Sequence, residues 1–188
     1  MKNLPLFLLL FILPILFSCK QKNEQKKSFQ TLDGSVQMAE LHQYKINSLI
    51  FLAPGCPLSE ASLLELNRLD SLYSKHKYST TIIIPGNLYS IQEIEEFKNV
   101  FNVKFRMVMD TNYYLTKLLN ASITPEYFLV NENMVILYQG AIDNKALDND
   151  IIRQEADMNF AEIAIKSIIE NEKIEITKTK AVGCFIEQ

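Results

Sequence analysis

Asn47-Ser48-Leu49-Ile50-Phe51-Leu52-Ala53-Pro54-Gly55-Cys56-Pro57-Leu58-Ser59 joins a strand pattern to a helix pattern through one cysteine. Leu49 to Ala53 is a short apolar run that reads as a buried strand, and Pro54-Gly55 stops it. Pro57 suits the first helical position, because its missing N–H would find no intrahelical partner there and its fixed φ matches the helix. Leu58, Ala61, Leu66, Leu69, Leu72 and Tyr73 then recur at spacings that place them along one helical face. A thiol therefore stands at the head of a helix. The unpaired amides and dipole of that terminus favour negative charge, so Cys56 is more readily a thiolate, the reactive form.

Downstream, strand and helix patterns alternate. Thr80-Thr81-Ile82-Ile83-Ile84 is the next strand, stopped by Pro85-Gly86, and Ser90-Ile91-Gln92-Glu93 has the form of a capping box. That box predicts a helix burying Ile94, Phe97 and Phe101. Phe105 to Met109 reads as a short strand, with Asp110 able to cap a helix that carries Tyr114, Leu115, Leu118 and Leu119. Tyr127 to Val130 and Met134 to Tyr138 flank the polar turn Asn131-Glu132-Asn133, the pattern of an antiparallel hairpin. Gly140 to Asn144 leads into a polar segment without clear period that runs to Asp157. Phe160 to Ile169 then makes a closing helix with Phe160, Ile163, Ala164 and Ile168 inward. The class this predicts is α/β, a central mixed sheet flanked by helices.

Upstream, Met1 to Cys19 reads as an export signal. Lys2 gives a positive start, Leu4 to Phe17 is an apolar core too short to span a bilayer comfortably, and Leu16-Phe17-Ser18-Cys19 sets a small residue before cysteine. This ending resembles a bacterial lipoprotein lipobox. The resemblance implies that residues 1–18 are removed, that the Cys19 thiol carries a diacylglycerol, and that lipid anchors the protein to a membrane. An uncleaved anchor and an ordinary secretory signal are the alternatives, and each also takes the domain out of the cytosol. Residues 19–34 read as a flexible tether, lysine-rich and without periodicity from Lys20 to Ser28, ahead of one domain over 35–188. The chain holds 19 Lys+Arg and 22 Asp+Glu, so loss of Lys2 leaves 18 against 22 and a formal charge of −4. That balance argues against nucleic acid as a partner.

Four stretches follow one another in order: Phe51-Leu52-Ala53-Pro54-Gly55-Cys56-Pro57-Leu58, Ile123-Thr124-Pro125-Glu126, Tyr138-Gln139-Gly140-Ala141-Ile142-Asp143-Asn144 and Thr179-Lys180-Ala181-Val182-Gly183-Cys184-Phe185-Ile186. Together they resemble extracytoplasmic redoxin-domain proteins of the thioredoxin superfamily, and the wider resemblance runs from Val36 to Glu172. It implies a thioredoxin-like fold in which Pro125 is a cis-proline. Its loop would face Cys56 and offer backbone hydrogen bonds to a substrate chain, with Thr124, Pro125 and Pro57 as the substrate-binding residues. Without the resemblance, Pro125 reads as an ordinary trans proline in a turn. The implied activity is thiol–disulfide exchange in the bacterial cell envelope, facing the periplasm, with Cys56 as nucleophile and no cofactor. Implied partners are exported proteins with thiols or disulfides, a redox-recycling partner, and the membrane through Cys19.

The sequence departs from the family pattern at Ser59, where dithiol members carry the second cysteine of Cys-Pro-x-Cys. A Ser59 hydroxyl can hydrogen-bond a Cys56 thiolate but cannot resolve a mixed disulfide by attack. A second departure concerns peroxiredoxins, whose threonine and proline ahead of the peroxidatic cysteine are replaced here by Ala53 and Leu49. The missing hydroxyl argues against efficient peroxide reduction, with Arg68 and Arg106 as the arginines to watch. Cys184 has three readings: a resolving thiol for Cys56, a permanent staple with it, or a small buried hydrophobe. Its distance from Cys56 decides. His42 and His76 lack ligand spacing to a cysteine, so no metal site is expected, and Asp143 reads as turn chemistry in preference to part of the face near the site. The alternatives to an exchange enzyme are a redox-inert binding module that uses the same loop and a weak peroxiredoxin-like peroxidase.

Overall fold

The computed structural model describes residues 27–148 and 151–187. The expected signal over 1–18, the lipidation residue Cys19 and the tether as far as residue 26 lie outside the described residues. The elements begin with β1 (Ser28–Thr31), β2 (Gly34–Gln37), α1 (Met38–Leu41), β3 (Ile46–Phe51), α2 (Pro57–Tyr73) and β4 (Tyr78–Pro85). Next come α3 (Ile91–Val100), β5 (Arg106–Asp110), α4 (Tyr114–Leu119), β6 (Ile123–Thr124), β7 (Glu126–Val130) and β8 (Ile136–Gly140). The last are β9 (Ala146–Asp148), β10 (Ile151–Ile152), α5 (Phe160–Glu170) and β11 (Cys184–Phe185).

A seven-stranded sheet of order β2-β1-β5-β4-β3-β7-β8 forms the centre. β3, β4 and β5 are parallel, as crossovers through α2 and α3 require, whereas β7 lies antiparallel on β3 and β8 on β7. The expected mixed α/β architecture is therefore present. The sheet buries both faces. Ile46, Ile50, Ile82, Ile84 and Leu129 pack with Leu63, Leu66 and Leu69 of α2, Ile94 and Phe97 of α3, and Ala161, Ala164 and Ile165 of α5. Leu49, Phe51, Ile83, Val108 and Phe128 pack on the other face with Met38 and Leu41 of α1 and Leu115 and Leu119 of α4.

β3 is buried along its whole length although it carries Asn47 and Ser48. Both are tolerated because they are hydrogen-bonded. The Asn47 amide donates to the carbonyls of Tyr44 (2.6 Å) and Val130 (3.3 Å), and Ser48 donates to Tyr78 Oη (2.8 Å) while also meeting Tyr127 Oη. Ser90 makes the expected capping box, its hydroxyl accepting from the Glu93 amide while the Glu93 carboxylate accepts from the Ser90 amide.

Several expectations are corrected. Residues 28–34, which the sequence reading put in the tether, are part of the sheet: Ser28–Thr31 and Gly34–Gln37 pair as a hairpin that adds to its edge beside β5. Phe29 and Val36 drive this by burying alternate side chains of two otherwise polar strands. On α2, Leu72 is 50 % exposed and Ala61 also faces solvent, while Leu63 is buried. On α5, Ile163 is 41 % exposed and Ala161 and Ile165 take the inward positions with Ala164. Leu118 of α4 is likewise exposed. Asp110 is not itself the cap of α4, since Tyr113 holds that position; its buried carboxylate accepts from the amides of Leu115 (3.1 Å) and Thr116 (2.8 Å) and from the Thr116 hydroxyl. The segment before Asp157 contains the small antiparallel pair β9 and β10.

A charged pin holds α2 to α5. Glu162, the first-turn acid of α5, accepts from Arg68, from Lys166 (2.9 Å) and from Tyr73 Oη (2.9 Å), and Arg68 also grips Glu65. Burial acts to raise the Glu162 carboxyl, but its three donors outweigh it and hold the group at about 2, against an ordinary 4.5. A carboxylate depressed in the folded state contributes stability above its ordinary value and loses that contribution as the pH falls through the folded value. Stability is expected to decline as the pH drops from 4.5 towards about 2. Glu162→Gln is expected to flatten that part of the profile, which denaturant melts at stepped acid pH will read.

Candidate active site

β3 ends at Phe51, and the chain turns through Leu52 to Gly55 into α2. Gly55 adopts φ +75°, a conformation open to glycine at no steric cost, and the Cys56 amide closes the turn on the Ala53 carbonyl (3.2 Å). Cys56 is the residue that caps α2, with Pro57 in the first turn as expected. Its side chain is only 4 % exposed and lies 3.3 Å from the Thr124 carbonyl oxygen, to which the thiol donates.

Thr124 belongs to β6, and the Thr124–Pro125 bond is cis, as the family resemblance implied. A buried carboxylate that the sequence reading overlooked, Glu126, braces this loop. It accepts from the Ser122 amide (2.9 Å) and from the Gln139 side chain (3.0 Å), tying β6 to β8. Opposite the loop, Ser59 is fully buried on the first turn of α2 and its hydroxyl oxygen accepts from the Ala53 amide (3.2 Å). That leaves the hydroxyl proton free to point at Cys56.

Cys184 comes to the same place from the far end of the chain. Residues 177–179 run alongside β8, the Gln139 amide donating to the Thr177 carbonyl and the Thr179 amide to the Gln139 carbonyl. Thr179 is further tied to Tyr138 and to the Ala141 amide (2.9 Å). The tail then crosses to β6, where β11 pairs antiparallel with Cys184 opposite Thr124 and Phe185 opposite Ile123. Both cysteines are free thiols, and Cys184 stands opposite Thr124, whose carbonyl meets the Cys56 sulfur, so the two are near enough for each to shift the other's titration. The reading of Cys184 as a buried hydrophobe is thereby corrected: the residue is exposed, on a short ribbon of its own outside the central sheet.

The two thiols titrate in opposite directions. Burial alone would raise Cys56, but hydrogen bonding from Cys184 and from Ser59, through side chain and backbone, brings it below the ordinary thiol value. Burial and the neighbouring Cys56 push Cys184 up to about 11. Of the two thiols, Cys56 is therefore the one that gives up its proton first, and Cys184 keeps its own. Tyr89, which nothing in the sequence pattern singled out, is half-buried and is raised by burial and then by the charges of Cys56 and Cys184; it lines a pocket with Ala53, Thr124 and Phe185.

Other residues weighed from the sequence stand elsewhere. Arg68 is engaged by Glu65 and Glu162, and Arg106 donates to the Glu40 carbonyl (3.2 Å). His42 meets the Glu132 carbonyl (2.8 Å), and His76 is exposed beside Tyr73. Among the described residues no three His, Cys, Asp or Glu side chains gather as a metal-holding group. Asp143 accepts from the Lys145 amide (2.8 Å) as turn chemistry. It lines a small pocket of about 60 Å³ with Leu58, Ala61, Pro125 and Val182.

Residues 21–154 match the Redoxin family model, and none of the curated proteins matches the sequence. A hypothetical protein from Sinorhizobium meliloti 1021 superposes with a TM-score of 0.74 at 15 % identity, over 85 % of this chain and 89 % of that one. An uncharacterized conserved protein from Geobacillus kaustophilus gives 0.72 at 19 % identity, over 87 % and 90 %. A secreted disulfide oxidoreductase from Mycobacterium tuberculosis gives 0.52 at 16 % identity, over 61 % of this chain and 82 % of its own. At these identities the likeness speaks for the fold alone, which is thioredoxin-like. The family match stops before α5 and the tail that brings Cys184 home. It still spans well over half of the sequence and includes Cys56, the cis-proline loop and β8, and the chain accordingly belongs to the redoxin family.

Proposed function

We propose that the protein is a thiol–disulfide oxidoreductase of the bacterial cell envelope, anchored by lipid on Cys19 and facing the periplasm, that acts on exported proteins. The observation that carries this reading is the Cys56–Cys184 pair itself, in which hydrogen bonding lowers the buried thiol and leaves its neighbour holding the proton. The Cys56 thiolate attacks one sulfur of a substrate disulfide, a bond forms from Cys56 to that sulfur, and the other substrate sulfur leaves as a thiolate. Cys56 is then uncharged, so the field that held the proton on Cys184 is gone. Cys184 gives that proton to the departing thiolate, attacks Cys56 and releases the second substrate thiolate. The substrate has gained two electrons and the enzyme ends as a Cys56–Cys184 disulfide, which an external dithiol restores.

Equilibration across glutathione buffers, with alkylation of free thiols and mass readout, tests this. A reversible Cys56–Cys184 disulfide with a potential between about −120 and −270 mV is expected. A bond that survives below about −300 mV would make the pair a structural staple, and two thiols that never pair would leave a monothiol or a binding module.

A further inference from the structure

The nucleophile is nearly inaccessible, and the segment that meets it most directly is the chain's own C-terminus. Cys56 is 4 % exposed. The backbone of β6, which would hydrogen-bond a substrate strand, already has a partner: Cys184 lies opposite Thr124, Phe185 opposite Ile123, and the Ile186 amide donates to the Ser122 carbonyl (2.9 Å). Gly183 completes the fit, because a Cβ there would collide with the Thr124 carbonyl. Cys184 stands opposite Thr124, whose carbonyl lies 3.3 Å from the Cys56 sulfur, so this internal strand brings its thiol to the site as a substrate strand would.

The hold on this strand is weak for its position. Phe185 is 79 % exposed, Cys184 is exposed, and β11 has two residues. The stretch before it is fastened much better, through Thr177 and Thr179 on β8 and through buried Ala181. Firm fastening up to Ala181 and a short pairing with exposed side chains at Cys184 and Phe185 beyond it make Val182–Gly183 the place where the tail can lift.

We propose that Gly183–Ile186 is a built-in stand-in for the substrate strand, occupying the β6 edge until an extended cysteine-bearing polypeptide displaces it. This rests on the exchange reading above and adds an order of events to it. A polypeptide disulfide gains the edge by strand addition as β11 lifts, and Cys56 is attacked by Cys184 when the tail returns. A small disulfide, which needs no backbone pairing, has no β6 edge to win from the tail.

The test measures mixed-disulfide formation by Cys56 in three forms of the protein: full-length Cys184→Ser, full-length Gly183→Val/Cys184→Ser, and a chain ended after Val182. Each meets two probes, the small aromatic disulfide dithiobis-nitrobenzoate and a Thr/Val-rich peptide with one cysteine activated as its thionitrobenzoate disulfide. The first form keeps the strand without its thiol, the second pushes the strand off Thr124, and the third removes it. The peptide rate divided by the small-disulfide rate is expected to rise on the order of tenfold in the second and third forms, the worth of one or two net backbone hydrogen bonds. Dividing by the small-disulfide rate cancels any change in Cys56 acidity. An unchanged ratio, with Cys56 still reacting with the small disulfide, overturns the stand-in strand and leaves the exchange reading intact. A Cys56 that reacts with neither probe in any form overturns the exchange reading instead.

Discussion

Cys184→Ala is expected to leave Cys56 able to attack a disulfide but to strand it there, with the protein accumulating as a mixed disulfide with its substrate. In the parent chain the proposed resolving thiol stands opposite Thr124 beside Cys56, so the second displacement would be intramolecular. Well-oriented intramolecular groups act at effective concentrations far above those of any external thiol, so turnover of a protein disulfide is expected to fall by roughly a hundredfold or more. The first step should slow as well, since loss of the Cys184 hydrogen bond lets Cys56 rise towards the ordinary thiol value. The two effects separate cleanly: single-turnover attack reads the acidity of Cys56, and multiple turnover reads the loss of resolution. Non-reducing gels will show the trapped species. Unchanged multiple turnover would remove Cys184 from the mechanism.

Phe51→Ala is expected to be the most damaging of the simple core truncations near the site, costing about 3–5 kcal/mol. Phe51 is wholly buried at the end of β3 and meets Phe128 of β7 edge-to-face, with ring centroids 5.6 Å apart. Truncation opens a cavity between the sheet and α4, directly before the turn that delivers Cys56. By contrast, Phe185→Ala removes a ring that is 79 % exposed and should change stability by no more than about 0.5 kcal/mol. Urea unfolding of both variants under reducing conditions checks the pair.

Where local chemistry dictates structure, the sequence was legible. The turn Pro54-Gly55 with Pro57 after Cys56 set the strand end and helix start, the Ser90-to-Glu93 box set α3, and the polar turn at Asn131 set the β7–β8 hairpin. The cis bond at Pro125 was not legible from local pattern, since proline in a turn is ordinarily trans, and came only from the family resemblance. The β1–β2 hairpin was missed because lysine-rich polarity outweighed a short alternation; Asp33-Gly34 was the available turn signal. The helical faces were misassigned at Leu72 and Ile163 because exposed leucine and isoleucine are common, and burial there depends on which elements pack alongside.

The site divides along the same line. Cys56 and Ser59 occupy one turn of helix, so sequence spacing brings them together. Cys184 reaches them only through the pairing of residues 177–179 with β8 and of β11 with β6, contacts between residues far apart in the chain. Tyr89 carried no pattern at all, and Glu126 stood in the Ile123-to-Glu126 stretch without a role of its own. A two-residue strand is too short for periodicity to betray it, which is why three readings of Cys184 stood open until the tail's path was known.

Hydrogen bonding from Cys184 and Ser59 lowers the Cys56 thiol, and the pH dependence of Cys56 alkylation reads that lowering. The rate at Cys56, followed by mass so that Cys184 is counted apart, should rise with a midpoint below the ordinary thiol value of about 8.5. Ser59→Ala should move the midpoint upward. A midpoint at or above the ordinary value in the parent chain, unmoved by Ser59→Ala, would contradict the account.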